Sequence, residues 1–385
     1  MNSLEAQTLH PIELSAADKS AWQGFRARHP AFANPLLGPD FAQAVGRVRE
    51  DARILVLKRH GETVGFLPHH IRPGGLARPI GAPLSDYHAL VSASPVNSAE
   101  ALAAGRLTAF RYHGLVDPLR SFEAPATRRD AFAVTLEGPV EPYLEGLRAA
   151  SAKKFKNWRR LDHKLDREEG ALRLVPADTN PASFHQLLAW KREQLRRTGG
   201  HDFLAAEWTG RLFEQLFAAR EGNFQGLMIC LYAQDRLVAG HFGVREGDFF
   251  HPWIASVDPG LAAYSPGQIF LTRAIAAMPE LGLTRYDFGP GHDHYKRAYA
   301  PVETVVGGGM AAARTAAGQT ILSVERLLHR AAGNEDSFAA RIRRRLDVIE
   351  STETTLAGFT RGLADAVAGQ ARRRQAEGAA GAEAA

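Results

Sequence analysis

The sequence predicts a mixed α/β fold made of two similar halves followed by a basic tail, and three observations carry that reading. A hairpin phrase, residues 53–58 (RILVLK), a turn at His60-Gly61-Glu62 and residues 63–67 (TVGFL), returns later in the chain. Its second copy is residues 227–232 (LMICLY), the turn Gln234-Asp235-Arg236 and residues 237–244 (LVAGHFGV), with Gly240 falling on Gly65. After that copy the pattern runs strand, loop, helix, strand. The length of 385 residues suits two or three domains, and 45% apolar with 23% charged residues describes a chain that buries a core. The boundaries read as 1–150, 151–322 and a tail from 323 to 385.

In order along the chain, helical apolar spacing covers residues 141–168, 181–197 (Phe184, Leu187, Leu188, Leu195) and 205–220 (Trp208, Leu212, Phe213, Leu216, Phe217). These stripes read as core faces. The aromatic stretch 248–254 (DFFHPWI) is a third strand after the second hairpin. A loop with Ser265-Pro266-Gly267 follows, then a helix over 268–278 with Ile269, Phe270, Ala274 and Ala277 on one face. Residues 284–288 form a strand, residues 294–298 a short helix, and 302–310 closing strand material. Beyond Ser323 the composition turns to Arg, Ala, Glu and Gly. The tail reads as a helical appendage with a disordered end, dispensable for the folding of the two domains.

Composition removes several function classes. Cys230 is the only cysteine, which excludes an internal disulfide and thiolate-clustered metal sites, and fits a cytoplasmic protein. The start of the chain lacks a basic region followed by an apolar stretch, and no run of about eighteen apolar residues occurs. Net charge is only +5, so no stable nucleic-acid partner is expected. The excess is local: residues 151–167 hold seven Lys or Arg against two acids, with Lys153, Lys156, Arg160, Lys164 and Arg167 on one helical face. That face reads as steering for an anionic substrate, a lipid- or nucleotide-linked sugar.

The densest chemistry lies in residues 286–299 (YDFGPGHDHYKRAY), where Gly289, Gly291 and a proline permit close approach of backbone to a ligand. Together with Tyr264-Ser265-Pro266-Gly267-Gln268, Gly282, and Tyr295-Lys296, this segment resembles the GNAT-like acyltransferases of cellulose and exopolysaccharide synthesis, the CelD-type family, itself related to Fem-type peptidyltransferases. Asn34-Pro35, Phe41, Ser85-Asp86-Tyr87 and the basic helix near 151–160 agree with it. The resemblance covers roughly residues 20 to 320. It implies two tandem GNAT-like (acyl-CoA N-acyltransferase) domains, the first degenerate and the second catalytic, with acetyl-CoA as acyl donor.

The resemblance also distributes roles. It places the donor's pyrophosphate at Ser265, Gly267, Gln268 and Ile269, although only Gly267 remains of the usual glycine pattern. Tyr295 stands where many GNAT enzymes keep the tyrosine that protonates the leaving thiolate, and Lys296 where relatives keep a lysine near the donor, able to stabilise an oxyanion. For the base, Asp287, His292, Asp293, His241 and His251 are all open; His251 and Asp287 rank first. Gly289, Gly291, Trp253, Lys153 and Lys156 fall on the substrate side. The neighbouring His292-Asp293-His294 lacks the spacing of a helical metal pair, so no metal is expected. Arg341, Arg343, Arg344 and Arg345, with Arg372–Arg374, suggest a regulatory anion site for a cyclic dinucleotide or the inner-membrane surface. The expected activity is N-acylation of an amino sugar or precursor in exopolysaccharide or adhesin synthesis, in the cytoplasm or peripheral to the inner membrane. The alternatives are a Fem-type aminoacyl-tRNA-dependent transferase acting on a peptidoglycan precursor, and an inactive GNAT-like scaffold with an anion-binding tail.

Overall fold

The computed structural model describes residues 4–291, 296–332, 337–355 and 357–364, with the helix side chains of 331, 332 and 338–341 outside the description. Its strands are β1 (Glu5–Leu9), β2 (Ala52–Arg59), β3 (Glu62–Arg72), β4 (Leu76–Pro79), β5 (Val91–Ser92), β6 (Ala109–Leu115), β7 (Thr127–Thr135), β8 (Leu172–Val175), β9 (Phe224–Ala233), β10 (Arg236–Glu246), β11 (Phe249–Val257), β12 (Arg285–Pro290) and β13 (Val302–Ala312). The helices are α1 (Ala16–Ala27), α2 (Pro39–Gly46), α3 (Ser98–Ala104), α4 (Val140–Ala150), α5 (Ala152–Glu169), α6 (Pro181–Thr198), α7 (Glu207–Ala218), α8 (Pro266–Ala276), α9 (Lys296–Tyr299), α10 (Ala316–Ala332) and α11 (Phe338–Thr352).

Among the described residues the strands form one mixed sheet in the order β1-β2-β3-β4-β6-β13-β7-β12-β11-β10-β9-β8, with β5 beside β3. Read inward from either edge, the halves repeat each other: three antiparallel pairings, then one parallel pairing, β4 with β6 and β11 with β12, then an antiparallel strand. The helices repeat too. α1 and α2 lie between the first two strands of the first half, α6 and α7 between those of the second, and α3 and α8 precede the inner parallel strands. The last strands are exchanged: β13 pairs with β6, completing the first half, and β7 pairs with β12, completing the second. β7 and β13 pair with each other at the seam.

Both copies of the repeated hairpin form where the sequence places them, as β2–β3 and β9–β10. The expected helix over 141–168 is two helices, because Ser151 leaves the helical region at φ −137°, ψ 44°. The stripe of α7 is buried throughout, from Trp208 to Phe217, in a core it shares with Trp22, Phe32 and Phe66 of the first half. A second core lies under α5 and α8 and holds Phe155, Phe270 and Tyr299. One cross-seam contact is ionic and buried: Arg26 of α1 meets Glu246 of β10 through two guanidinium bonds of 2.8 and 2.7 Å. The same guanidinium donates to the carbonyls of Phe32, Ala33 and Asn34.

The expectation that the tail is an appendage is corrected. Ile349 is fully buried, and the carbonyls at the end of α11 accept from both halves: Arg72 of β3 donates to Glu350, and Trp208 Nε1 of α7 to Thr352 at 2.8 Å. Compositional bias toward Arg and Ala hid this docking, because the anchors are scattered through β3 and α7.

Candidate active site

β11 and β12 are paired at only two positions, Phe249 with Arg285 and Phe250 with Tyr286. At the next position the side chains of His251 and Asp287 face each other, His251 Nδ1 lying 2.8 Å from Asp287 Oδ2. The path of β11 depends on Gly243 of β10, where a Cβ would sit 2.0 Å from the His251 carbonyl oxygen. Asp287 is buried and accepts four hydrogen bonds. Asn34 Nδ2 and His251 share Oδ2, while Tyr87 Oη (2.9 Å) and the Gly289 N–H (2.7 Å) donate to Oδ1. With its acceptor positions filled by donors, this carboxylate orients its neighbours, and it fixes the His251 tautomer with the proton on Nδ1.

The remaining ring nitrogen, His251 Nε2, points toward Asp86, 3.4 Å from Oδ2, an ion-pair distance longer than a good hydrogen bond. Asp86 is the open member of the group, its side chain 40% exposed. Its backbone lies against Gly114, where a Cβ would come within 1.9 Å of the Asp86 carbonyl oxygen. His88 ties the same turn down, its Nε2 accepting from the N–H groups of His113 and Gly114 at 3.1 and 3.0 Å.

Burial opposes a charge on His251, but the Asp287 hydrogen bond and the attraction of the Asp287 and Asp86 carboxylates outweigh it and raise the imidazole from 6.5 to about 9. Because the folded value lies above the unfolded one, this stabilisation is complete below about pH 6.5 and fades as pH rises through about 9. Asp86 moves down: burial pushes it up, but the facing His251 imidazole and the charges of His113 and Lys296 prevail.

Lys296 opens α9, is nearly buried and donates to the Pro290 carbonyl at 3.3 Å. A cleft of about 200 Å³, lined in part by Asn34, Tyr87, Arg285, Asp287 and Glu303, reaches the site from the seam between the halves. The buried polar atoms without a hydrogen-bond partner among the described residues include three in this region, His251 Nε2, Trp253 Nε1 and Gln268 Oε1. Each belongs to a residue that the sequence placed in the site, and each is a position where a ligand would supply the missing bond.

The structure thus brings together His251, Asp287, Gly289 and Lys296. Trp253 stands two residues along β11, its ring centroid 6.1 Å from that of His251. The Gly291 N–H is taken by the Asp130 carbonyl. Ser265 precedes α8 in the left-handed region, and its carbonyl takes both the Gln268 and the Ile269 N–H, at 3.0 and 3.4 Å. For an acyl-CoA this leaves the Gln268 side chain and the space at Gly267, where a Cβ would meet only a Val257 methyl at 3.4 Å. Lys153 and Lys156 are exposed on α5. His241 bonds to Tyr286 Oη, and burial with the Lys191 charge pushes it down to about 3. Tyr295, His292 and Asp293 lie outside the described residues, as does the Arg341 side chain. Arg343 is bound to Glu325, and Arg344 and Arg345 sit on α11 with partners of their own. Among the described residues no group of His, Cys, Asp and Glu is arranged to hold a metal ion, and no helix is long and apolar enough to cross a membrane.

Sequence reasoning assigned no role to Asn34, Asp86 and Tyr87. The resemblance had singled out Asn34-Pro35 and Ser85-Asp86-Tyr87, which was the available signal; their partner, Asp287, is 200 residues from Tyr87 and 253 from Asn34.

Residues 152–297 match the model of the acetyltransferase (GNAT) domain family. No curated protein matches the sequence. Among solved structures the chain is similar to FemX, with 12% identity and a TM-score of 0.49 over 83% of this chain and 99% of that one. A conserved protein of unknown function from Bacteroides thetaiotaomicron gives 12% and 0.48 over 82% of this chain and all of that one. A tandem GNAT protein from the clavulanic acid biosynthesis pathway gives 10% and 0.44 over 82% and 100%. Residues 152–297 are a GNAT acetyltransferase domain, and the protein is an acyl-transferring enzyme.

Proposed function

We propose that this GNAT-domain enzyme N-acylates a primary amine with acetyl-CoA as donor, the acceptor being an amino sugar or sugar precursor of exopolysaccharide or adhesin synthesis. The observation that carries the reading is Asp86, a half-open carboxylate facing His251, whose other nitrogen is held by a fully satisfied Asp287. An acceptor ammonium binds Asp86 by charge and displaces the weak His251 contact. A positive charge at that point disfavours the imidazolium, so His251 gives its Nε2 proton to solvent and can then take one from the bound ammonium. The freed amine attacks the thioester carbon, the C–S bond breaks, and the imidazolium returns the proton to the leaving thiolate. Bound acetyl-CoA supplies the thioester. Gln268 and the space at Gly267 would hold it, and Lys296 lies where a cation can balance negative charge developing on the acyl oxygen. The exposed Lys153 and Lys156 of α5 favour an acceptor that carries phosphate, such as a nucleotide- or lipid-linked sugar; a lipid-linked one would be met at the inner face of the membrane.

The test is thiol release from acetyl-CoA with a panel of free and nucleotide-linked amino sugars, beside the same panel with aminoacyl-tRNA. Amide formation that needs acetyl-CoA supports the reading; turnover with aminoacyl-tRNA alone replaces it with the Fem-type one.

The pH profile is a sharper check. In the free enzyme His251 becomes a base only as pH rises toward about 9, so kcat/KM climbs over that range. Asp86→Asn removes one of the two carboxylates that hold the proton, and the rise is expected to move down by about one pH unit while the maximum falls. An unchanged profile in a folded Asp86→Asn protein would exclude His251 as the titrating base.

A further inference from the structure

The repeat in the sheet assigns a counterpart to the His251–Asp287 site. In the first half β4 and β6 are paired in parallel at two positions, Leu76 with Ala109 and Ala77 with Phe110, as Phe249 and Phe250 pair with Arg285 and Tyr286 in the second. The next positions are Arg78 and Arg111, which therefore correspond to His251 and Asp287. Proline follows in both outer strands, Pro79 and Pro252.

A pair able to exchange a proton has become a pair of permanent cations, and that pair already binds anions. Arg78, only 4% exposed, donates one guanidinium nitrogen to Asp347 Oδ1 at 2.5 Å and the other to Glu350. Arg111 donates to Glu325 of α10 at 2.6 Å and lies 3.5 Å from the same Asp347 oxygen. Asp347 and Glu350 both belong to α11, one turn apart, and α11 is held in place independently by Ile349 and by the carbonyl bonds to Arg72 and Trp208.

We propose that Arg78 and Arg111 form a second anion-binding site, suited to a diphosphate and held shut by Asp347 and Glu350 as built-in ligands. Two planar guanidinium groups converging on two linked anionic groups is the arrangement that recognises phosphate esters through paired N–H···O bonds. The inference does not depend on the catalytic reading, since it rests on strand register and on the ion pairs of the first half. It reverses the sign expected for the tail: its carboxylates, docked on the body, do the binding.

The experiment is a thermal melt of the full-length protein with inorganic pyrophosphate, against sodium chloride at matched ionic strength. Wild type is expected to respond weakly. Asp347→Ala/Glu350→Ala leaves Arg78 buried without its acids, so its Tm falls, and pyrophosphate restores it with a midpoint at least tenfold lower than for wild type. Adding Arg78→Met to that variant should remove the response and recover Tm without ligand. If the double variant fails to fold, Asp347→Asn/Glu350→Gln keeps the shape, and the same tenfold shift is expected. A response matched by sodium chloride, or one that survives Arg78→Met, overturns the proposal.

Discussion

Asp287→Asn is expected to lower turnover by on the order of a thousandfold or more, the largest catalytic effect of any single substitution in this site. An asparagine cannot stand in for a carboxylate that accepts from Asn34, His251, Tyr87 and Gly289 at once. Whichever way its amide is turned, the NH₂ group faces two of those donors. If it faces Asn34 and His251, the imidazole moves its proton to Nε2, the nitrogen that must be free to accept. If it faces Tyr87 and Gly289, two buried donors lose their acceptor, at about 1–3 kcal/mol each. Single-turnover rates with saturating donor, together with the ¹⁵N shifts of the His251 ring, separate the two. A variant within tenfold of wild type and with an unaltered ring tautomer would remove Asp287 from the mechanism.

The largest effect on stability is expected at Arg26. Arg26→Met strands Glu246 in the seam, and breaking a buried pair from one side costs about 3–5 kcal/mol. The pair's side chains are 7% and 8% exposed, so water does not replace the lost partner. Arg26→Met/Glu246→Leu should regain most of the loss, because the desolvated charge is gone. Activity should not return with it. Arg26 also holds the carbonyls of Phe32, Ala33 and Asn34, and without that grip the Asn34 side chain loses its fixed approach to Asp287. Urea denaturation read beside turnover tests both halves of the statement; a double variant that is stable and fully active would show that Arg26 only neutralises Glu246.

These two residues also show where sequence reading stops. The second half was legible because its strands are long, apolar and punctuated by turns, and because Asp287 and Lys296 sit in a short stretch dense with chemistry, with His251 on the aromatic strand before it. In the first half, β4 and β5 are four and two residues long and are surrounded by Pro, Gly and Ser, so alternation has no length over which to show. The pairing of Asp287 with Asn34 and Tyr87 carries no local pattern at all. Neither does Arg26 with Glu246, 220 residues apart, since an arginine in an amphipathic helix reads as surface until its partner is known. The two-domain boundary near residue 150 follows the composition, yet hydrogen bonding crosses it, with β7 lying between β12 and β13.

That crossing bears on how the chain is made. During synthesis β6 and β7 emerge together, and the strand that belongs between them, β13, lies some 170 residues further on and emerges only after β12. Until then β6 lacks one neighbour, and the ribosome-bound first half carries an open strand edge of the kind that recruits other chains. The protein therefore cannot mature one half at a time. Joining β13 to β6 links segments some 190 residues apart, which favours slow, high-contact-order folding. A gene split at residue 150 would yield two fragments that need each other to close their sheets, so co-expression should rescue what separate expression cannot.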